Sequence, residues 1–467
     1  MIYDLIIIGN TAVGRYAALR AVSWEARVAL VTQEISTSSE ADWLYSFSLT
    51  QLTQIGKQWG NIQAFTPPTK TYQEWAQEVV EVVEEETALV KLAAKGVDVI
   101  EGKGEFCRLP KQALVVNQEK LQAPAYLIAT ERIAIPPDIS NLSSVGYLTL
   151  ADLRVRETLE TLPENLTIIG ETPEAITLAQ ILARLNKQIT LSIKDSRVFP
   201  TEDREISQWM QNQLEADGIN LLRKSPLLEI QKLETKKKLQ LGKHTIQTDE
   251  IILFPKTYPN IEGLNLEGVR VNYDETGLFL NHKLQTANLK IYACGALVGG
   301  YSFFNIAQYE AEIALSNALF FPRLKVNYQV IPSLINTIPQ IGRVGMTEAQ
   351  AKRRYGNKIV ILKVYFKNNL FSISQGDSTG ILKLIVKSNG TILGGHCFGH
   401  YSQGLISVIA LAMSKKMKVK QLDNVAFPSP SVMDLIKSLV QQWETYYYHS
   451  HPFLRELRKR YFFLRRP

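Results

Sequence analysis

The chain has 467 residues, 45% hydrophobic and 21% charged, with 52 basic side chains against 45 acidic ones and a formal net charge of +7. This composition excludes a disordered or fibrous chain, gives no basis for nucleic-acid binding, and calls for two or three domains rather than one core. No apolar run is of membrane-spanning length, the first residues run straight into a strand pattern, and Cys107, Cys294 and Cys397 are too far apart for a local dithiol or zinc site, so a cytosolic protein is expected.

The first pattern is IIIGNTAVGRYAA, residues 6–18, in which an apolar strand runs through a glycine turn into a helix of small residues. ARVALVT, residues 26–32, reads as a second strand and completes a β-α-β unit. Residues 70–94 read as a long helix rich in Glu and Val, and short strands follow in GVDVIEGKGEF and ALVV. AYLIATERIAIPP, residues 125–137, is a buried strand ending at a proline turn. The opening signal returns in NLTIIGETPEAITLAQILARLNKQITLSI, residues 165–193, which implies a second nucleotide-binding-type domain. KIYACGALVGG, residues 290–300, is a strand entering a glycine turn, with a helix expected over 305–319. Beyond Pro322, alternating strands in IVILKVYF, ILKLIVKS and TILGGHCF precede a helix at 404–414, the pattern of an α+β unit.

The tail RELRKRYFFLRR, Arg455 to Arg466, concentrates basic charge among aromatics. Its ordinary reading is a solvated face or a frayed end; the alternative is docking on an acidic membrane surface, a partner or the body of the protein itself. His449 and His451 are spaced as a surface pair with no third ligand, so no metal site is expected. His396 and Cys397 fall in a strand and read as packing.

The order of these elements resembles the FAD- and NAD(P)-linked disulfide oxidoreductases, the group of dihydrolipoamide dehydrogenase and mercuric reductase. The resemblance runs to about residue 440 and rests on the GNTAVG loop, YLIAT, IYACG, FPTEDREISQWMQNQLEADGI and PQIGRVGMTEAQA, in that order. It implies an α/β fold of two Rossmann-like dinucleotide-binding domains and a C-terminal α+β dimerisation domain. The implied divisions are 1–150 with 270–325 for FAD, 151–269 for the second nucleotide, 326–440 for dimerisation, and 441–467 as the tail.

The departures bear on chemistry. The family's redox cysteine pair would lie within the first sixty or so residues, yet no cysteine precedes Cys107 and the matching segment reads EADWLYSFSLTQLTQIG. The family's C-terminal His and Glu correspond to Phe427 and Val432. A thiol relay needs a sulfur and a titratable imidazole, so dithiol exchange by the usual route is excluded. Trp43 and Tyr45 stand where the cysteines would be, either to stack on a flavin or to fill the space.

For FAD, the resemblance points to Gly9, Thr11, Ala12 and Gly14 at the pyrophosphate, with Thr11 in the place of the middle glycine. Thr32 stands where the ribose-binding acid is expected, and Glu34 is the nearest carboxylate. Ala129 and Thr130 flank the cleft. Ala296, after Gly295, replaces the Asp that would bond the ribityl chain, and the helix start at Asn305 and Ala307, with Glu310 behind it, would face the ring. In the second loop, Gly170 remains, Thr172 and Ala175 replace glycines, and Lys194 and Arg197 could meet a 2′-phosphate. A second FAD or NADPH are the two candidate occupants there. The diflavin-linked branch of the family is similar in the opening loop, the missing N-terminal cysteines and the tail. A second planar cofactor would call on Trp443, Tyr446, Tyr447 and Tyr448, for which packing is the competing use.

The leading expectation is a homodimeric FAD-dependent oxidoreductase without the disulfide relay. The alternative is a non-catalytic dimeric scaffold acting through its basic tail. No catalytic residue is assigned, no residue identifies the electron donor or acceptor, and the redox state of Cys294 is left open.

Overall fold

The structure, a computed structural model, describes residues 2–33, 39–60, 69–108, 110–156, 159–300 and 303–466. Its contacts divide the chain into two compact units: Met1–Leu52, Pro67–Gly170 and Pro226–Val326 in the first, Thr53–Thr66, Glu171–Ser225 and Asn327–Pro467 in the second.

The first unit is built on a five-stranded parallel sheet. Strand β1 (Leu5–Ile8) lies between β2 (Val28–Val31) and Ala125–Ile128. β3 (Asp98–Ile100) extends one side and Ile291–Ala293 the other. Every residue of β1 and β2 is buried, because both faces of the sheet are covered. Leu5 and Ile7 pack with Ala17, Ala18 and Ala21 of α1 (Ala12–Val22) and with Ala311 and Ala314 of the helix Phe304–Leu319. Ile6 and Ile8 pack with Phe106, Leu114, Tyr126 and Leu264 on the opposite face. The alanines let α1 and Phe304–Leu319 lie close together, and Glu312 ties them by accepting from Tyr16 Oη at 2.6 Å and Arg20 Nε at 2.8 Å. Sequence residues 70–94 form two helices rather than one, α3 (Thr69–Glu86) and Leu89–Ala94, after the long α2 (Ser39–Gly60).

The second unit holds a five-stranded antiparallel sheet in the order Ser333–Ile335, Ile341–Gly345, Ile392–Phe398, Ile381–Lys387, Ile359–Tyr365. The helices Ser402–Ser414 and Asp434–Ser450 bury Leu405, Ile406, Ile409, Leu439 and Trp443 in its core. Residues 171–225 group with this sheet. Their helices are bonded to it: Gln180 Nε2 donates to the Ile338 carbonyl at 2.5 Å, and Lys383 reaches Asp203 at 2.8 Å.

Buried charge concentrates at that junction within the second unit. Lys383 is 1% exposed and lies 2.8 Å from Asp203, 2.7 Å from Glu348 and 3.1 Å from Glu205. Burial raises the carboxyls of Asp203 and Glu348, but both are held below their ordinary range, Asp203 by His396, Lys383 and the Glu348 N–H, and Glu348 by Lys352 and Lys383. His396 lies in the adjacent strand with Nε2 2.9 Å from the Met346 carbonyl and Nδ1 buried without a partner. Burial, aided by Arg343 and Lys383, outweighs the pull of Asp203 and lowers its pKa to about 4. A base whose folded pKa is depressed stabilises the fold fully above its unfolded pKa of about 6.5, and that stability is lost as pH falls towards 4. The second unit is therefore expected to lose roughly 2 kcal/mol between about pH 7 and pH 5, above the range where the carboxylates contribute. Urea midpoints at the two pH values measure it, and His396→Gln is expected to flatten the difference.

Candidate functional site

The loop after β1 is shaped by two glycines. Gly9 has φ +119°, and a Cβ there would sit 2.5 Å from the Ala129 carbonyl oxygen and 2.7 Å from the Thr130 nitrogen. A Cβ on Gly14 would collide with the Gly9 carbonyl oxygen. Close approach of helix, turn and neighbouring strand thus requires glycine at both positions.

Thr11, in the place of the middle glycine, turns its side chain into the loop. Its hydroxyl donates to the Ala129 carbonyl at 2.7 Å and accepts from the Gly14 N–H at 3.0 Å, which makes it the N-cap of α1. The substitution supplies a cap and leaves the mouth of the loop clear. Ala12 begins the helix, whose N-terminal dipole favours an anion.

These residues open on a cleft lined by Gly9, Asn10, Thr11, Thr32, Gln33, Thr130, Glu131, Arg132, Ile133 and Asn260. Thr130 is 4% exposed, and its hydroxyl is buried with no hydrogen-bond partner. Such a group costs about 1–3 kcal/mol, which a bound polar ligand would offset.

Thr32 is tied to the fold, accepting from the Gly102 N–H at 3.2 Å, while Glu34 lies outside the described residues. Arg132 was not singled out from the sequence. It bonds Thr257 Oγ1 at 3.0 Å and the carbonyls of Thr257, Glu275 and Thr276 at 2.7–2.8 Å, fixing one wall. An arginine two residues past Thr130 was the available signal; Asn260, so far along the chain, carried none.

Gly295 follows at φ +75°, and its N–H donates to Glu310 Oε2 at 2.8 Å. A Cβ there would meet Val13 at 2.9 Å, so Gly295 belongs to the same tight junction as α1. Ala296 offers no polar atom. Asn305 is exposed at the start of Phe304–Leu319, and Ala307 packs against the core. Cys294 is fully buried, and burial together with the neighbouring Glu310 pushes its thiol well above the ordinary range. It is a protonated, inaccessible thiol, unsuited to redox exchange.

All three cysteines are free. At the place of the family's cysteine pair, Tyr45 is 1% exposed, accepts from Gln73 Nε2 at 3.1 Å and has its pKa pushed up to about 12 by burial. It fills space. Trp43, 39% exposed, stacks on Phe47 at 5.4 Å. Phe427 packs against the core of the second unit and Val432 is buried within it, so no acid–base dyad remains. Trp443 is 4% exposed in that core with Tyr446 and Tyr447 against it, a packing role. His451 donates from Nδ1 to the Tyr447 carbonyl at 2.8 Å and stacks on the Tyr447 ring at 4.1 Å, again local packing.

The second loop differs. Gly170 has φ +155°, and Thr172 caps the helix Pro173–Arg184 by accepting from the Ala175 N–H at 3.3 Å. Glu171 and Glu174 flank that cap. Glu171 pairs with Lys194 at 2.6 Å, while Glu174 bonds its own N–H and Thr172, with burial pushing its pKa up. Arg197 donates to the Pro200 carbonyl. Two carboxyl groups occupy the helix end where a pyrophosphate would rest, and both candidate phosphate-binding cations are engaged. A dinucleotide does not fit this loop in the usual pose.

The model for the pyridine nucleotide-disulphide oxidoreductases matches residues 3–311, and that for their dimerisation domain matches residues 331–440. The chain belongs to this family. Its members are FAD-dependent oxidoreductases, and the fold, the flavoprotein class and the dimerisation domain follow for this member.

Among relatives, a mercuric reductase of Staphylococcus aureus is 28% identical, over 93% of this chain and 81% of its own. A dihydrolipoyl dehydrogenase of Bacillus subtilis (strain 168) is 25% identical, over 93% and 96%. The solved Cu(II) complex of the HOCl-induced flavoprotein disulfide reductase RclA from Escherichia coli has the same fold, with a TM-score of 0.82 at 20% identity, covering 95% of this chain and 99% of that one. No described helix is long and apolar enough to cross a membrane.

Proposed function

We propose that the protein is a homodimeric oxidoreductase that moves electrons through FAD without a cysteine relay. Gly9, Thr11, Ala12 and Gly14 would receive the pyrophosphate, Thr130 the adenosine end, and Gly295, Ala296, Asn305 and Ala307 the flavin end. Bound FAD supplies an electron acceptor that works by pairs or singly. The protein's residues hold and orient it: the head of α1 meets the phosphates and Arg132 stiffens the wall. The observation that carries the reading is the unpartnered Thr130 hydroxyl in a cleft closed to any Cβ at Gly9.

A second FAD or NADPH at Gly170, Thr172, Lys194 and Arg197 would have to displace Glu171 from Lys194 and free Arg197 from Pro200. We therefore expect a single flavin per chain. The dimerisation-domain match supports the dimer. The scaffold reading draws on a different observation, the apolar packing of Phe427 and Val432 where an acid–base dyad would stand.

The absorbance spectrum of the purified protein, with mass spectrometry of the ligand released from it, separates the two. Flavin bands and one FAD per chain are expected. A colourless dimer that is stably folded would leave only the scaffold.

A further inference from the structure

The C-terminal run folds as a helix, Pro452–Leu464, whose apolar side nothing described in the chain covers. Phe453, Leu457, Tyr461 and Leu464 fall on one face at helical spacing and are 76%, 56%, 53% and 81% exposed. At 100° per residue, Arg460 runs along one edge of that stripe, and Arg458 and Arg465 along the other. Arg455 and Lys459 crown the opposite face, and residues 455–466 carry six basic side chains against the single acid Glu456. The last turn, Tyr461 to Leu464, is apolar all the way round.

We propose that this helix lies in the interface of an anionic lipid bilayer, its stripe among the acyl chains and its flanking cations at the headgroups. Arginines on both edges of an apolar stripe suit a planar anionic surface, where their stems bury and their heads stay with phosphates. They do not suit a second copy of this helix, because isologous pairing would set cation against cation along both edges. The chain's net charge of +7 adds to that repulsion. This inference is independent of what the nucleotide cleft holds.

The test is co-sedimentation of the purified full-length protein with vesicles of phosphatidylcholine alone or mixed with phosphatidylglycerol. Binding is expected only to the anionic vesicles, weakening as salt rises from about 0.1 M to about 0.5 M. Arg460→Ala with Arg465→Ala, one cation from each edge, is expected to weaken it by on the order of thirtyfold, since each cation contributes about fivefold. Leu457→Glu with Leu464→Glu is expected to abolish it. Both pairs are exposed, and circular dichroism checks that the variants remain folded. No binding to anionic vesicles at low salt, or binding that survives both double substitutions, overturns the proposal. So does failure to bind together with a change of sedimentation coefficient in the Leu variant, which would mark the stripe as a contact between copies.

Discussion

Replacing Gly9 by alanine is expected to yield a protein that purifies without flavin colour. The new methyl would sit 2.5 Å from the Ala129 oxygen in a backbone at φ +119°, a conformation that L side chains rarely adopt. To relieve the clash, the loop must move away from the strand Ala125–Ile128, carrying the head of α1 and the Thr11 cap with it. We expect at least a hundredfold loss of FAD affinity, about 3 kcal/mol, together with a lower melting temperature. Alanine at Gly263 is the control. It too has positive φ, at +79°, but open space around it, so about 1 kcal/mol of stability and no flavin should be lost. Absorbance at the flavin bands and thermal melting read both variants. Full flavin occupancy in Gly9→Ala would show that the loop does not hold the cofactor.

Lys383→Met is expected to be the most destabilising single change in the second unit. It removes the cation that Asp203 and Glu348 face at 2.8 and 2.7 Å and leaves Asp203 uncompensated within the core, while Glu348 keeps Lys352 at 2.5 Å. Breaking a buried pair in this way costs about 3–5 kcal/mol at neutral pH. The pH dependence follows with opposite signs in the two proteins. In the native protein the carboxylates have depressed pKa values, so their stabilisation is present above the unfolded values of 3.8 and 4.5 and is lost as pH falls. In the variant, burial without the cation raises that of Asp203, and the penalty shrinks as pH falls and the group protonates. Urea midpoints at neutral and mildly acid pH measure both effects. Lys383→Met with Asp203→Asn should recover part of the loss, because the double variant buries one fewer unpaired charge. A difference below about 1 kcal/mol would show that solvent reaches the cluster.

The chemistry of the cleft was partly legible in the sequence. Gly9 and Gly14 stand out because a strand, a turn and a small-residue helix need them, and the coordinates give each a backbone atom that excludes a Cβ. Thr11 reads from the sequence as a weakened glycine. Only the fold shows that it caps α1 and bonds Ala129, a residue 118 positions away. Lys194 and Arg197 read as available for a phosphate because sequence shows charge but not partners; Glu171 and the Pro200 carbonyl take them. Cys294 was open to either role until burial and Glu310 fixed it as a thiol.

By itself the sequence determined the two parallel β-α-β signals, the antiparallel C-terminal strands, and the lack of both the thiol pair and the imidazole. These are matters of local periodicity and of which atoms a side chain contains. The tertiary structure alone decided which polar groups were spent and which were left over: Thr130 without a partner, Lys383 sealed among carboxylates, Tyr45 locked to Gln73, and one face of the terminal helix bare. Satisfaction of a hydrogen bond or a charge depends on residues brought together from distant parts of the chain, and no local pattern encodes that meeting.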